Sequence, residues 1–581
     1  MDFSTIDISA ISFEYFISNQ SQITDLQSCN DLLREKCGVK SFFEDEKQLS
    51  RFIALIAERN NKAEEPDRRE YGDFQTNINL ALKSADYIKS ISKDENIAFI
   101  LEPTCGKGHF IIAALATFTD IKRIVGIEIY QPYVWEAKFN ILDFFLINKN
   151  RSVPLIEIFH ANVFDFDFES LSKETRSLST CIIGNPPWVT NSELSSLASK
   201  NLPQKSNFKK HTGFDALTGK GNFDIGESIS LLMLKHFSSH QGYFGFLVKN
   251  SVVKNLVYDQ KKNLYPINKL KKLAIDAKKE FNVSVDACFF VAEFNLQAGL
   301  TCSDNDLYSL QEKQIFGWVN NKFVNSVLDY KQAKDIDGKS QFVWRQGLKH
   351  DCAKVMEFER NNGHYINGLN HELHIESDLV YGLLKSSDLK HTQTNTYRKL
   401  TIVTQKKIGQ ETNYIKRDYP LTFEYLNNNS EYFDRRKSSI YQGKPRFSIF
   451  GIGDYSFMPY KIAISGMYKT THFTLVTPAN GKPIMLDDTC YFIGFEKEKY
   501  AKIALYLLNH KHTQQFLKAI IFTDSKRAVT KDILMRIDFL MLYKLFDYTL
   551  ITNNIAVEIE DWEDFGKLLE QKTDAKQMTL F

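Results

Sequence analysis

At 581 residues, with 43% hydrophobic, 13% aromatic and 25% charged residues, the chain is apolar enough to exclude a disordered protein and long enough for about two to four domains. A formal net charge of +2 excludes a polybasic, all-over nucleic-acid binder, so any contact with nucleic acid must come from local basic patches. The cysteines (Cys29, Cys37, Cys105, Cys181, Cys288, Cys302, Cys352, Cys490) are scattered, with no CxxC pair and no His at zinc-ligand spacing, so no metal is expected. There is no basic start followed by an apolar run, and no stretch approaches the ~18 apolar residues of a membrane span, which makes the cytoplasm the expected location.

Residues 1–65 combine apolar periodicity with charge and predict a small helical lead-in, closed by the charged stretch NNKAEEPDRRE. Over residues 66–300, short β-branched runs (IAFIL, RIVGIEI, LIEIFHA, TCIIG, YFGFLV, ACFFVAEF) alternate with helical segments such as GHFIIAALATF and ESISLLMLKHF. Such alternation predicts an α/β domain with a parallel sheet flanked by helices. Residues 301–340, around TCSDNDLYSLQEK, are polar and read as a linker. Shorter strands, turns and aromatic-basic mixtures over 341–550 predict a second, α+β domain, and 551–581 a short helix with a loose tail.

Within the first domain, a strand-like run leads into Glu102-Pro103-Thr104-Cys105-Gly106-Lys107-Gly108 and then an apolar helix. At the carboxyl end of a strand, glycines let backbone approach a ligand, so a nucleotide-like cofactor fits this turn. About twenty residues on, a second strand ends in Glu128, followed by Ile129, where a carboxylate can accept both hydroxyls of a ribose. A third strand end offers Asn162 to an adenine ring.

Next comes Ile182-Ile183-Gly184-Asn185-Pro186-Pro187-Trp188. Two prolines stiffen the loop and remove N–H donors, leaving a rigid array of acceptors. An exocyclic amine conjugated to a purine is a poor nucleophile because its lone pair is delocalised. Hydrogen bonds from that amine to the Asn185 side-chain oxygen and the Pro186 carbonyl would localise the pair on nitrogen. Trp188 would stack on a base swung out of the duplex, since the target atom is unreachable inside the stack.

These motifs, in this order, resemble the gamma-class N6-adenine DNA methyltransferases of the Asn-Pro-Pro-aromatic type. The resemblance implies a Rossmann-like methyltransferase sheet with flanking helices, plus a C-terminal α+β DNA-recognition domain. It implies S-adenosylmethionine as cofactor, held by Gln75, Thr76, Glu102, Pro103, Thr104, Gly106, Gly108, Glu128, Ile129, Asn162 and Asn185. Gln75 and Thr76 belong to Tyr71-Gly72-Asp73-Phe74-Gln75-Thr76-Asn77, which is similar to the segment surrounding the methionine moiety, with Asn77 where the family usually has Pro. Asn162 stands where Asp is common.

Lys279-Glu280-Phe281-Asn282-Val283 is similar to the segment that supplies a second aromatic, here Phe281, to the flipped base. The implied partners are double-stranded DNA and a separate cognate restriction endonuclease. Arg435, Arg436, Lys437, Lys444 and Arg446 are the densest candidate DNA contacts; a lysine group from Lys261 to Lys279 could border the DNA or be a solvated face. Gln577-Met578-Thr579-Leu580-Phe581 resembles the pentapeptide that docks into bacterial sliding clamps.

Asn185 at the first motif position favours adenine over cytosine N4, where Ser is usual. An RNA or protein amide methyltransferase shares the same motif chemistry, and a catalytically silent specificity subunit is the non-enzymatic alternative. Trp135-Glu136-Ala137-Lys138 mimics a nuclease Glu-x-Lys site, but its place inside a helix makes coincidence the better reading.

Overall fold

A computed structural model describes residue 3 and residues 6–58, 75–92, 96–189, 224–468, 470–523, 527–552 and 554–578. The chain divides into two compact units, Met1–Phe323 and Val324–Phe581.

The first unit is built on one sheet with strands β1 (Phe99–Glu102), β2 (Arg123–Glu128), β3 (Leu155–His160), β4 (Thr180–Gly184), β5 (Gly242–Lys249), β6 (Ile267–Ile275), β7 (Ala287–Phe294), β8 (Thr301–Asp306), β9 (Glu312–Val319) and β10 (Lys322–Val324). Their order is β10-β9-β8-β6-β7-β5-β4-β1-β2-β3. The five strands β3-β2-β1-β4-β5 run parallel, and β7 enters antiparallel between β5 and β6. The runs predicted as strands form β1 to β5 and β7. Strands β1 and β4 are buried on both faces, which is why they read as unbroken apolar runs rather than alternations.

Strand order reverses at β1, whose neighbours are β2 and β4. Crossover helices leave to either side of such a switch point, opening a crevice at the carboxyl ends of the strands where ligands bind.

The lead-in forms helices α1 (Ala10–Ser18), α2 (Leu26–Cys37) and α3 (Glu46–Glu58). It is not a separate appendage. Val39 bridges to Ile156 of β3, and Phe3, Phe16, Phe42 and Phe52 pack with Trp135 and Phe139 of a helix spanning Gln131–Ile147. The Lys138 ammonium donates to the carbonyls of Ser41 and Phe42 (3.0 and 2.9 Å), and burial pushes its pKa down to about 8. Trp135-Glu136-Ala137-Lys138 is thus framework: Trp135 and Lys138 are buried, and Glu136 pairs with Lys107 (2.8 Å).

Residues 301–340 do not form a linker. Thr301–Asp306 pairs in parallel with β6, and its polar sequence is tolerated because Asp304 pairs with Lys272 (2.7 Å) and Asn305 donates to the Leu310 carbonyl. Beyond β10, Asn325 already donates to Ala519 within the second unit.

The second unit is α+β. Its five-stranded sheet has the order β11-β21-β18-β19-β16 and its six-stranded sheet the order β14-β13-β12-β17-β15-β20. In chain order these are Arg345–Gln346, Glu357–Asn361, His364–Asn367, Glu372–Leu373, Val380–Leu384, Gln393–Thr394, Lys399–Ile402, Tyr460–Ser465, Thr474–Val476, Met485–Leu486 and Cys490–Phe495. The C-terminal helix, Ile559–Met578, is longer than expected and buries Phe565 and Leu569, with Trp562 stacked on Tyr543. No helix among the described residues is long and apolar enough to cross a membrane.

Candidate functional site

One cavity opens at the carboxyl ends of β1, β2, β3 and β4. It is lined by Gln75, Thr76, Glu102–Gly106, Glu128–Tyr130, Ala161–Phe164 and Asn185–Val189, together with His109, Phe110, Tyr133, Ile225 and Ile229. Sequence positions more than a hundred residues apart thus face one space. Of the residues expected around the cofactor, every one except Gly108 lines it.

The two glycines do different work. Gly106 has φ 50°, and a β-carbon there would lie 2.8 Å from the Gln75 side-chain amide; Gln75 in turn accepts from the Lys107 N–H at 3.2 Å. Gly108, with φ 79°, caps the helix His109–Thr117 and faces Ala137, to which an added β-carbon would come within 3.2 Å. It permits helix packing rather than ligand approach.

Glu128 knots the site together. One carboxylate oxygen accepts from the Gly106 N–H (2.8 Å) and the other from the Tyr130 N–H (2.7 Å). A carboxylate has about four acceptor positions, so two backbone donors alone do not exhaust it. Glu102 lies beneath, 2% exposed, with its Oε2 lacking a hydrogen-bond partner among the described residues. Burial, aided by the charge of Glu128, drives its pKa well above the carboxylate range. The Thr104 hydroxyl is likewise buried without a partner among them. Two orphaned polar atoms in the cavity wall suit a polar ligand that supplies their missing partners. S-adenosylmethionine, with its ammonium and sulfonium, fits those residues.

Asn162 closes a turn by accepting from the Phe164 N–H (3.0 Å). Its oxygen is therefore already engaged, and its amide N–H groups are the freer end. His109 lines the cavity with no motif in the sequence to mark it. Its Nδ1 lies 2.6 Å from the Thr76 carbonyl, tying the Gln75–Thr76 segment to the glycine turn, and burial holds its pKa below the usual value. Neutral, it donates through Nδ1. His109→Ala is expected to weaken S-adenosylmethionine binding by about tenfold, the loss of one buried hydrogen bond, while kcat at saturation holds; isothermal titration checks the first and saturation kinetics the second.

The Asn-Pro-Pro-Trp loop leaves β4 directly into this cavity. The Ile225 N–H donates to the Val189 carbonyl (3.0 Å), and the Asp224 carboxylate caps the following helix while pairing with Lys249 (2.8 Å). Trp188 is 6% exposed, and its indole N–H donates to Leu247 at 3.1 Å. Phe281 meets it edge-to-face with centroids 4.9 Å apart. The two aromatics expected to hold a base are thus brought together, but at this spacing no base fits between them. Phe281 packs on Trp188 and does not line the cavity. Tyr130, Tyr133, Phe164, Ile225 and Ile229 line it unforeseen; Tyr130, next to Ile129, was the one with a local signal.

The candidate DNA contacts fall into committed and exposed side chains. Arg436 stacks on Tyr441 (3.7 Å) and donates to the carbonyls of Ser448 and Arg446 (2.7 and 2.6 Å), so its guanidinium is committed to the fold. Arg435 pairs with Glu431 and Arg446 with Asp434. Lys437 and Lys444 are exposed. The earlier lysine group is dispersed over a helix, β6 and a short helix, with Lys269 paired to Glu293 and Lys272 to Asp304. Tyr71–Phe74 and Thr579–Phe581, and the side chains of Gln577 and Met578, lie outside the described residues.

The sheet order and the cavity at its switch point define an S-adenosylmethionine-dependent methyltransferase of Rossmann-like fold. No protein-family model matches the chain. A curated relative, Type II methyltransferase M.NspV of Nostoc sp. (strain ATCC 29411 / PCC 7524), is 39% identical over 486 residues, covering 83% of this chain and 98% of that protein. Type II methyltransferase M.VspI of Vibrio sp. (strain 343) is 26% identical over 214 residues, 37% of this chain and 45% of that protein. Among solved structures, the Type IIL restriction-modification enzyme MmeI in complex with DNA shares the fold, with a TM-score of 0.50, 11% identity and coverage of 99% and 90% of the two chains. The chain belongs to the type II DNA methyltransferases of restriction-modification systems.

Proposed function

We propose that this protein transfers a methyl group to the N6 of adenine at a specific site in double-stranded DNA, on a base rotated out of the helix. The observation carrying this reading is that Asn185, Pro186, Pro187 and Trp188 line the same cavity as Glu102 and Glu128. The bound cofactor supplies the electrophilic methyl. Glu102 and Thr104 present polar atoms to its methionine end, Glu128 its carboxylate to the ribose, and Asn162 its amide to the adenine. Asn185 Oδ1 and the Pro186 carbonyl accept the two hydrogens of the target amine, localise its lone pair, and hold it for in-line displacement. The proton departs to solvent after transfer.

The second unit is the target-recognition part, and a separate endonuclease cleaves unmodified DNA. In support, MmeI, which shares the fold, was solved in complex with DNA, and the second unit carries the exposed Lys437 and Lys444. The decisive experiment is methylation-sensitive sequencing of DNA from cells expressing the intact protein or Asn185→Ala. N6-methyladenine in one short context, present only with the intact protein, supports the reading; N4-methylcytosine would redirect it to the other amine.

Trp188→Ala is expected to raise the apparent Kd for a duplex carrying 2-aminopurine at the target by about 10- to 100-fold, from the loss of roughly 1–3 kcal/mol of stacking. The fluorescence rise on extrusion should disappear with it. Retention of that rise would remove Trp188 from the base-holding role.

A further inference from the structure

Two turns of the second unit, Lys406–Gln410 and Lys437–Lys444, arise side by side. The Thr404 hydroxyl donates to the Phe447 carbonyl (2.6 Å), and the fully buried Gln405 accepts from the Ile449 N–H (2.8 Å). Gln405 also donates to the Gln410 carbonyl, while the Lys406 N–H donates to the Gln410 side chain (2.7 Å) and the Gln410 N–H to Lys407 (3.2 Å). The first turn is therefore braced from inside. At its tip Gly409 has φ 79° with nothing within 4 Å of where a β-carbon would be, and Ile408 is 53% exposed between Lys407 and that glycine. Lys406, Lys407, Lys437 and Lys444 are exposed, and among the described residues none has a carboxylate at ion-pair distance, whereas neighbouring Arg435, Arg446 and Arg417 are each paired.

We propose that the Lys406–Gln410 turn is a DNA-probing element: Ile408 enters a groove against base edges, and Lys406, Lys407, Lys437 and Lys444 neutralise phosphates on either side. Unpaired lysines keep their full charge for counterion release. A small aliphatic side chain is the type that wedges against bases, and a braced turn loses little conformational freedom on docking. Ion-paired arginines nearby would have to surrender a carboxylate first. The proposal rests on the second unit being the DNA-recognition part.

The test uses the full chain and a duplex bearing the methylation site mapped in cells. Hydrogen–deuterium exchange should show protection of residues 404–410 and 435–446 on adding duplex. Replacing Lys406, Lys407, Lys437 and Lys444 together by Ala should flatten the slope of log K against log salt by about 3 to 4, at roughly 0.9 per phosphate contact. Ile408→Ala should weaken binding to that duplex by about tenfold, the size of one base contact, with less effect on a scrambled duplex. Unchanged Tm and S-adenosylmethionine affinity would exclude misfolding. Protection elsewhere in 324–581 with an unaltered salt slope would overturn the turn's role and leave the recognition reading standing. No protection anywhere in 324–581 would overturn both.

Discussion

Asn185→Ala should reduce kcat for methyl transfer by about 10²- to 10³-fold while leaving the Kd values for S-adenosylmethionine and duplex DNA within a few-fold of the parent, because oriented acceptors act on the transition state. The cavity wall at Asn185 is contributed by a short side chain at the end of β4, whose backbone is held by β1 and β5 on either side. Truncation to Ala therefore removes an acceptor without moving the strand. Pro186 and Pro187 keep the loop rigid, so its remaining carbonyl stays in place but acts alone. Single-turnover kinetics at saturating cofactor isolate the chemical step. Parental turnover by the variant would remove Asn185 from the mechanism.

Glu128→Ala should raise the Kd for S-adenosylmethionine by about 10²-fold or more and lower thermal stability as well. Two effects combine. The carboxylate accepts from the N–H groups of Gly106 and Tyr130 in the free protein, and each charge-assisted bond of this kind contributes roughly 1.5–3 kcal/mol. Losing it loosens the glycine turn, which then keeps the Cys105 N–H to Ile127 carbonyl bond (2.8 Å) to β2, before any ligand arrives. Its acceptor oxygens are lost to the ribose at the same time. Glu128→Gln separates these: one amide oxygen can still accept from a single backbone N–H, so stability should recover more than affinity. Calorimetry with S-adenosylmethionine and a thermal melt of the free protein together measure both, and an unchanged Kd in Glu128→Ala would place the ribose elsewhere.

Much of the cavity was legible because a large part of its wall is strand ends with local signatures. Glu102 through Gly106, Glu128 and Asn185 through Trp188 each follow an apolar run, and in an open α/β sheet such ends converge at the switch point. His109, Ile225 and Ile229 were not legible in the same way. His109 looks like one more residue in an apolar helix until the Thr76 carbonyl is seen beside it. Ile225 and Ile229 have helical periodicity, but periodicity does not say which cavity a helix faces.

Residues 301–324 show the reverse failure. Their polarity reads as a linker, yet Thr301–Asp306 is a parallel strand because Lys272 and Leu310 supply partners for its polar side chains. Charge density does not by itself sort the residues at 435–446. Five basic residues within twelve positions read as one DNA-binding cluster, but Arg436 is spent on carbonyls and an aromatic ring, and Arg435 and Arg446 on carboxylates.

The sequence alone determined the strand-turn-helix order, the cofactor turn and the Asn-Pro-Pro-Trp motif, since these depend on neighbours in the chain. Only the tertiary structure decided which glycine lines the cavity, that Trp188 and Phe281 touch each other, and which lysines among the described residues have no carboxylate at ion-pair distance. Those outcomes depend on side chains brought together from distant positions, whose desolvation and pairing no local pattern encodes.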